Sequence, residues 1–397
     1  MSSELYNTTS LHFIKYMGSK TKLLPFVING INDIYNGGGV CDLFAGSCSL
    51  SGALCDQIPM ISNDIQEYSS VIAKTYLTDW NDYNLTVDSV IADAVRYYDS
   101  QYKDMVVDYR YPLEINLDVF NEIELRSRKL INRSFSNEWH LFTKYYSGTW
   151  WSVEQCTWID SLRKAIEDYK ESPMYNTLLS CLMFAASYNS QGTGHYAQYR
   201  DAKTISTMND IMIYRSKNIL DFFVRKATDA FSQARKKPSL FAHQIMSEDY
   251  LDCLRSVKKS TVYADPPYCF VHYSRFYHAL ETLVLYDYPQ IQEKNGQIVK
   301  GRYRINRHQS PFCIRTKVED AFRGMFELIA RNKNSLALSY SDTGMIPFEQ
   351  LKLIAEEFFP KRLISVKSLN YDHMTMGRKD DRKRSVKEIL LLIQSSK

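Results

Sequence analysis

Near its amino end the chain passes from an apolar run through a turn of small residues into a helix and then a second apolar run, and this order constrains the fold more than any other feature. Val40 to Phe44, after the Gly37-Gly38-Gly39 turn, reads as a buried strand, Ser49 to Ile58 as a helix and Met60 to Ile65 as the next strand. Strand, turn, helix, strand is how an open parallel sheet begins, and such sheets bind ligands beyond the carboxyl ends of their strands. The turns at Ala45 and Asp64 are therefore the places to look for a site. A second sheet half starts at Thr261 to Ala264, which runs straight into Asp265-Pro266-Pro267. Further strands are expected at Ser335 to Tyr340, Leu363 to Leu369 and Glu388 to Gln394, with a helix carrying Phe322, Met325, Phe326 and Ile329 on one face. The fold class is α/β with a mostly parallel sheet.

Between Val71 and Ala242 the pattern turns helical and rich in Tyr and Trp, as in Trp158, Leu162, Ile166 and Tyr169. A stretch of roughly 170 residues is far too long for a loop. It should form a mainly helical lobe inserted between residues 1–70 and 243–397, with its C-terminal part free to pack on the core. The 397 residues are 45% hydrophobic and 24% charged, which places the chain with folded rather than disordered proteins. No apolar run reaches the ~18 residues of a membrane span and no signal core is visible, so the cytoplasm is the expected compartment. Eight cysteines stand singly with no Cys-x-x-Cys pair, which argues against a zinc ribbon or redox motif, and no metal is expected.

The turn Asp42-Leu43-Phe44-Ala45-Gly46-Ser47-Cys48-Ser49 puts small residues where a strand becomes a helix, so that backbone N–H groups approach a ligand closely. It lacks the glycine pattern of a nicotinamide site. Asp64, followed by Ile65, ends the next strand, where a carboxylate accepts hydrogen bonds from ribose hydroxyls. In Asp265-Pro266-Pro267-Tyr268 two prolines remove two donors and stiffen a loop that is rich in acceptors. Such a loop suits an amine. If the Asp265 carboxylate and the Pro266 carbonyl each accept an N–H of an adenine amino group, the nitrogen lone pair is freed to attack a methyl group. Tyr268 would stack on the base, which must leave the duplex to reach it.

With these residues in place the chain resembles the adenine-specific DNA methylases of the Dam-like class. Lys15-Tyr16-Met17-Gly18-Ser19-Lys20 is similar to the amino-terminal cofactor motif, Asp42 to Ser49 to the methionine-binding turn, Asp64 to the ribose-binding acid and Asp265 to Tyr268 to the catalytic loop. Ser187-Tyr188-Asn189-Ser190-Gln191-Gly192 resembles the Asn/Gly-rich stretch that precedes the catalytic motif. The resemblance implies S-adenosylmethionine as cofactor, the class I methyltransferase (Rossmann-like) sheet, and a target-recognition role for much of the insertion. Its cofactor residues would include Tyr16, Lys20, Asp42, Phe44, Ala45, Gly46, Ser47, Asp64, Ile65 and Asp265. Asp249, just before the catalytic strand, reads equally as a helix cap and as a contact to the cofactor's adenine. One departure is Cys48, where relatives often carry Gly.

A net charge of +4 is too mild to identify a nucleic-acid partner, but its distribution is informative. Residues 294–318 contain no Asp or Glu while Lys300, Arg302, Arg304, Arg307, Arg315 and Lys317 are all present. Arg302, Arg304 and Arg307, with Arg378, Lys379 and Arg382, are therefore expected to follow the phosphates of double-stranded DNA. RNA is the rival substrate, and nothing resembles an RNA-binding module. A cytosine ring-carbon methylase would typically carry its nucleophilic Cys after Pro, and no Pro-Cys dipeptide occurs. A catalytically silent subunit should have lost Asp265 or Tyr268, and both are present. The sequence leaves open whether a cognate restriction endonuclease or a regulatory programme provides the context, and whether the protein is a monomer or a dimer.

Overall fold

The computed structural model describes residues 11–16, 20–78, 85–192, 194–233, 240–267, 273–341, 344–374 and 383–395. Tyr268, Arg378, Lys379, Arg382 and the side chain of Lys20 lie outside the described residues; the backbone of Lys20 opens a short 3-10 helix, Lys20–Leu23.

The strands run in chain order β1 (Val40–Asp42), β2 (Met60–Asn63), β3 (Gln244–Met246), β4 (Thr261–Ala264), β5 (Glu293–Lys294), β6 (Gln297–Ile298), β7 (Ser335–Ser341), β8 (Ile364–Met374) and β9 (Lys383–Ile393). Among the described residues, β5 and β6 form a separate hairpin and the other seven form one sheet in the order β3-β2-β1-β4-β7-β9-β8. The pairs from β3 to β7 are all parallel, whereas β9 runs antiparallel to both β7 and β8. The order of strand addition reverses between the parallel neighbours β1 and β4: from β1 the sheet grows outward through β2 and β3, then restarts on the other side of β1. That crevice is the topological switch point at which open α/β sheets bind ligands.

Several elements differ from their sequence readings. The second helix ends at Leu54 rather than Ile58: Pro59 keeps Ile58 out of the helix, and residues 55–57 form turns. β3 is a three-residue edge strand with no apolar run to reveal it. β8 and β9 each extend over eleven residues because their backbones stay paired in register from Ile364 and Ile393 to Met374 and Lys383, while the apolar pattern marks only the inner half of β9.

Alternation along the strands separates two cores. Tyr263, Ala337, Leu390 and Leu392 face one, and Val262, Ala264, Leu336, Leu338, Leu391 and Ile393 face the other. On the first face the helix Leu24–Ile34 lies so close to the sheet that a Cβ on Gly30 would sit 2.9 Å from Leu390. The second face is covered by the helix Val318–Arg331, whose buried stripe includes Phe322, Met325, Phe326 and Ile329. Inserted helices Val153–Glu167, Tyr175–Asn189 and Ile219–Ser232 contribute side chains to the first core, and Tyr175–Asn189 packs on the helix Glu67–Leu77. The position taken from sequence as the start of the insertion, residue 71, falls inside that helix. Tyr98 and Tyr102, and Phe120 and Met208, centre two smaller satellite clusters within the insertion.

Candidate active site

At the carboxyl end of β1 the ladder does not stop at once. The N–H of Leu43 donates to Tyr263 O at 3.0 Å and that of Ala45 to Asn63 O at 2.9 Å, so the turn is stretched across the ends of β4 and β2. Gly46 then takes φ +51°, and a Cβ there would lie 2.7 Å from the Tyr16 hydroxyl. Glycine is required by both the left-handed backbone and the approaching ring. Cys48 also adopts the left-handed conformation, at φ 55°, immediately before the helix Ser49–Leu54. That explains why glycine suits this position in the motif, and here the buried thiol contacts Ser69 instead.

Asp64 ties the turn to the next helix. Its Oδ2 accepts the N–H of Gly46 and its Oδ1 that of Gln66, each at 2.9 Å, which fixes the carboxylate and leaves lone pairs on both oxygens for a ligand. Tyr16 stacks on Tyr277, with ring centroids 4.7 Å apart at 15°, and forms one side of the cavity. Phe44 is braced edge-on by Phe312 at 5.5 Å. The cavity at the switch point brings together Tyr16, Asp42, Phe44, Ala45, Ser47, Asp64, Ile65 and Asp249 with Asp265, Pro266 and Pro267. Residues from both sheet halves thus share one space, although the whole insertion separates them in sequence. Asp249 accepts the N–H of Leu251 and caps the helix Tyr250–Ser256 while lining the cavity, so its two readings are compatible.

Five carboxyl groups line this space, those of Asp42, Asp64, Glu248, Asp249 and Asp265, and among the described residues no Lys or Arg does. Burial, then the charges of Asp265 and Asp64, hold Asp42 well above the ordinary carboxylate range. Burial also raises Asp64, against the pull of the two N–H groups it accepts. Crowded acids without a counter-ion favour a positively charged ligand.

Sequence reasoning missed Tyr273, Ser274, His308 and Ser310, which line the cavity, and Glu281, which supports it. Glu281 accepts the N–H groups of Glu67 and Tyr68, both at 3.1 Å, and so caps the helix that follows Asp64 from 214 positions away. No local pattern announces such a contact. His308 lies in the acid-free stretch, where the charge pattern suggests a solvated basic loop or a phosphate surface and gives no sign of a cavity residue.

The arginines of that stretch separate into different roles. Arg302 is 5% exposed and donates to the carbonyls of Tyr145 and Arg128, so it ties the stretch to the insertion and is corrected from a phosphate contact to an internal tether. Arg304 is paired with Asp287 through two hydrogen bonds. Arg307 is half-buried and donates to Gln292 and to the carbonyl of Arg304.

Comparison with known proteins finds a family match over most of the chain. The family model of the D12 class N6 adenine-specific DNA methyltransferases matches residues 16–331. The modification methylase LlaI of Lactococcus lactis subsp. lactis is 23% identical over 367 residues, covering 90% of this chain and 51% of the relative. The modification methylase StsI of Streptococcus sanguinis is 22% identical over 391 residues, or 96% of this chain and 52% of the relative. The type II methyltransferase M.NlaIII of Neisseria lactamica is 21% identical over 405 residues, covering 96% of this chain and all of the relative. The chain spans about half the length of the first two.

Proposed function

Because this chain belongs to the family of D12 class N6 adenine-specific DNA methyltransferases and carries the mostly parallel sheet of the class I methyltransferase fold, we propose that it methylates the 6-amino group of a flipped-out adenine in double-stranded DNA at a specific site. The family implies a methyl donor, and the acids that line the cavity suit S-adenosylmethionine as that donor. The observation that carries this reading is the acid-lined space at the switch point, where Asp42, Asp64 and Asp265 converge without a lysine or arginine among the described residues. A ligand bearing a sulfonium and an ammonium group offers the charge those acids lack, and the Asp64 carboxylate is placed to accept ribose hydroxyls.

The cofactor supplies an electrophilic methyl group. Everything else is the work of this chain. Tyr16 and Phe44 wall the cavity and Asp64 anchors the ribose. Asp265 and the carbonyl of Pro266 accept the two amino hydrogens of the adenine, which localises the nitrogen lone pair and offsets the positive charge that develops on nitrogen. Pro267 keeps the loop stiff, and Tyr268 stacks on the extruded base. The insertion reads the target sequence. No helix among the described residues is long and apolar enough to cross a membrane, and no cluster of His, Cys, Asp or Glu among them could hold a metal ion. The relatives' names as modification methylases support a restriction–modification setting with a cognate endonuclease as partner, for which the cytoplasm is the compartment we propose.

The test is incubation of genomic DNA with the purified protein and S-adenosylmethionine, followed by sequencing that detects N6-methyladenine. Methylated adenine in one recurrent sequence context is expected. Methylation of RNA alone, or of cytosine, would replace this reading.

A further inference from the structure

Beside the mouth of the cavity, two arginines share one aromatic ring. The guanidinium of Arg275 lies 4.6 Å from the Tyr303 ring centroid and donates to its hydroxyl at 3.3 Å. The guanidinium of Arg307 lies 5.2 Å from the same ring, and one of its nitrogens is held by Gln292 at 3.0 Å and the Arg304 carbonyl at 2.7 Å. The ring cannot drift. Tyr303 is 3% exposed, its hydroxyl donates to Ala197 O, and it packs edge-on against His278 at 5.3 Å.

Neither guanidinium has a carboxylate partner among the described residues, whereas neighbouring Arg304 and Lys300 are matched to Asp287 and Asp201. Burial and the charge of Arg275 lower the pKa of Arg307, as expected for like charges held near each other. An anion shared by the two guanidinium forks would relieve that repulsion, and phosphate matches their geometry. Position supports this. Ser274 and His308 line the cavity with Asp265, and each is the direct chain neighbour of one arginine, so each arginine's Cα lies one step, ~3.8 Å, from that of a cavity-lining residue. A base entering past Ser274 and His308 to reach Asp265 would bring its own sugar–phosphate beside these arginines.

We propose that Arg275 and Arg307, braced by Tyr303, clamp a phosphodiester of the DNA strand that carries the target base. The clamp rests on the DNA-methylation reading and deepens it. It also sorts the acid-free stretch, making Arg307 a phosphate contact and leaving Arg302 and Arg304 internal, and it adds Arg275 from outside that stretch.

The test is the salt dependence of binding to a short fluorescent duplex, with calorimetry of S-adenosylmethionine binding alongside. Each neutralised phosphate contributes about 0.9 to the slope of log affinity against log salt. The pair R275Q/R307Q should flatten the slope by about one such unit with cofactor affinity unchanged, the pair R275K/R307K should restore it, and R304Q should keep the wild-type slope. Should the glutamine pair lose its fold, the single variants R275Q and R307Q carry the same comparison. A wild-type slope in variants that bind cofactor normally overturns the clamp alone. A wild-type protein that binds cofactor but no DNA overturns both the clamp and the DNA reading.

Discussion

The carboxylate of Asp64 accepts the backbone N–H of Gly46 at 2.9 Å, so the acid at the end of β2 holds in place the glycine turn at the end of β1. The same carboxylate accepts the Gln66 N–H. Asp64→Ala therefore removes the ribose acceptor and also frees the turn that faces the donor. Cofactor affinity should fall by about 1–3 kcal/mol, the cost of removing a charged, partly buried acceptor. Calorimetry measures it, and an unchanged affinity would remove Asp64 from the site.

Cofactor affinity should also depend on pH. Asp42 and Asp64 are both raised above the ordinary carboxylate range, chiefly by burial. A cationic ligand beside them pulls both back down, so binding releases protons wherever these groups titrate, and affinity rises with pH through that window and levels off once both are ionised. The sign for folding is opposite: a raised native pKa means the folded state binds more protons, and these groups' contribution to stability is lost as pH rises through the same window. Calorimetry in buffers of different ionisation enthalpy counts the protons. Uptake on binding would contradict the account.

Glu281→Gln places an amide N–H where one of the helix donors of Glu67 or Tyr68 now finds a carboxylate oxygen. A loss of about 1–3 kcal/mol in stability is expected, together with weaker cofactor binding because Asp64 lies directly before the capped helix. Denaturant titration with and without S-adenosylmethionine separates the two effects. Wild-type stability would mean that the helix end finds another partner.

Arg302→Ala should act on stability and not on DNA. Removing the guanidinium leaves the carbonyls of Tyr145 and Arg128 without this donor, at a cost of about 1–3 kcal/mol. Thermal unfolding reads that loss, and the salt slope of DNA binding should stay at the wild-type value. A flattened slope would return Arg302 to the phosphate surface.

These cases mark what the sequence makes legible. Asp42, Gly46, Asp64 and the Asp265-Pro266-Pro267 loop are each encoded by neighbouring residues of distinctive chemistry, so strand end, turn and acceptor are read locally. Glu281 and Tyr277 matter through partners far away in the chain, and nothing beside them signals it. Arg302 and Arg307 look alike in an acid-free run. Only the folded path, which turns one toward the Tyr145 carbonyl and the other toward the Tyr303 ring, tells them apart. β3 escaped notice because three polar-edged residues carry no periodicity.

The central claim is that Asp265 is the charged acceptor for the adenine amino group, and single-turnover methyl transfer to DNA by wild type, Asp265→Asn and Asp265→Ala tests it directly. An amide oxygen still accepts a hydrogen bond but lacks full charge, so Asp265→Asn should be slower by about 10²–10³ if electrostatic stabilisation dominates. Asp265→Ala should transfer no detectable methyl while binding S-adenosylmethionine nearly as the wild type does. Wild-type turnover by Asp265→Ala would contradict the account.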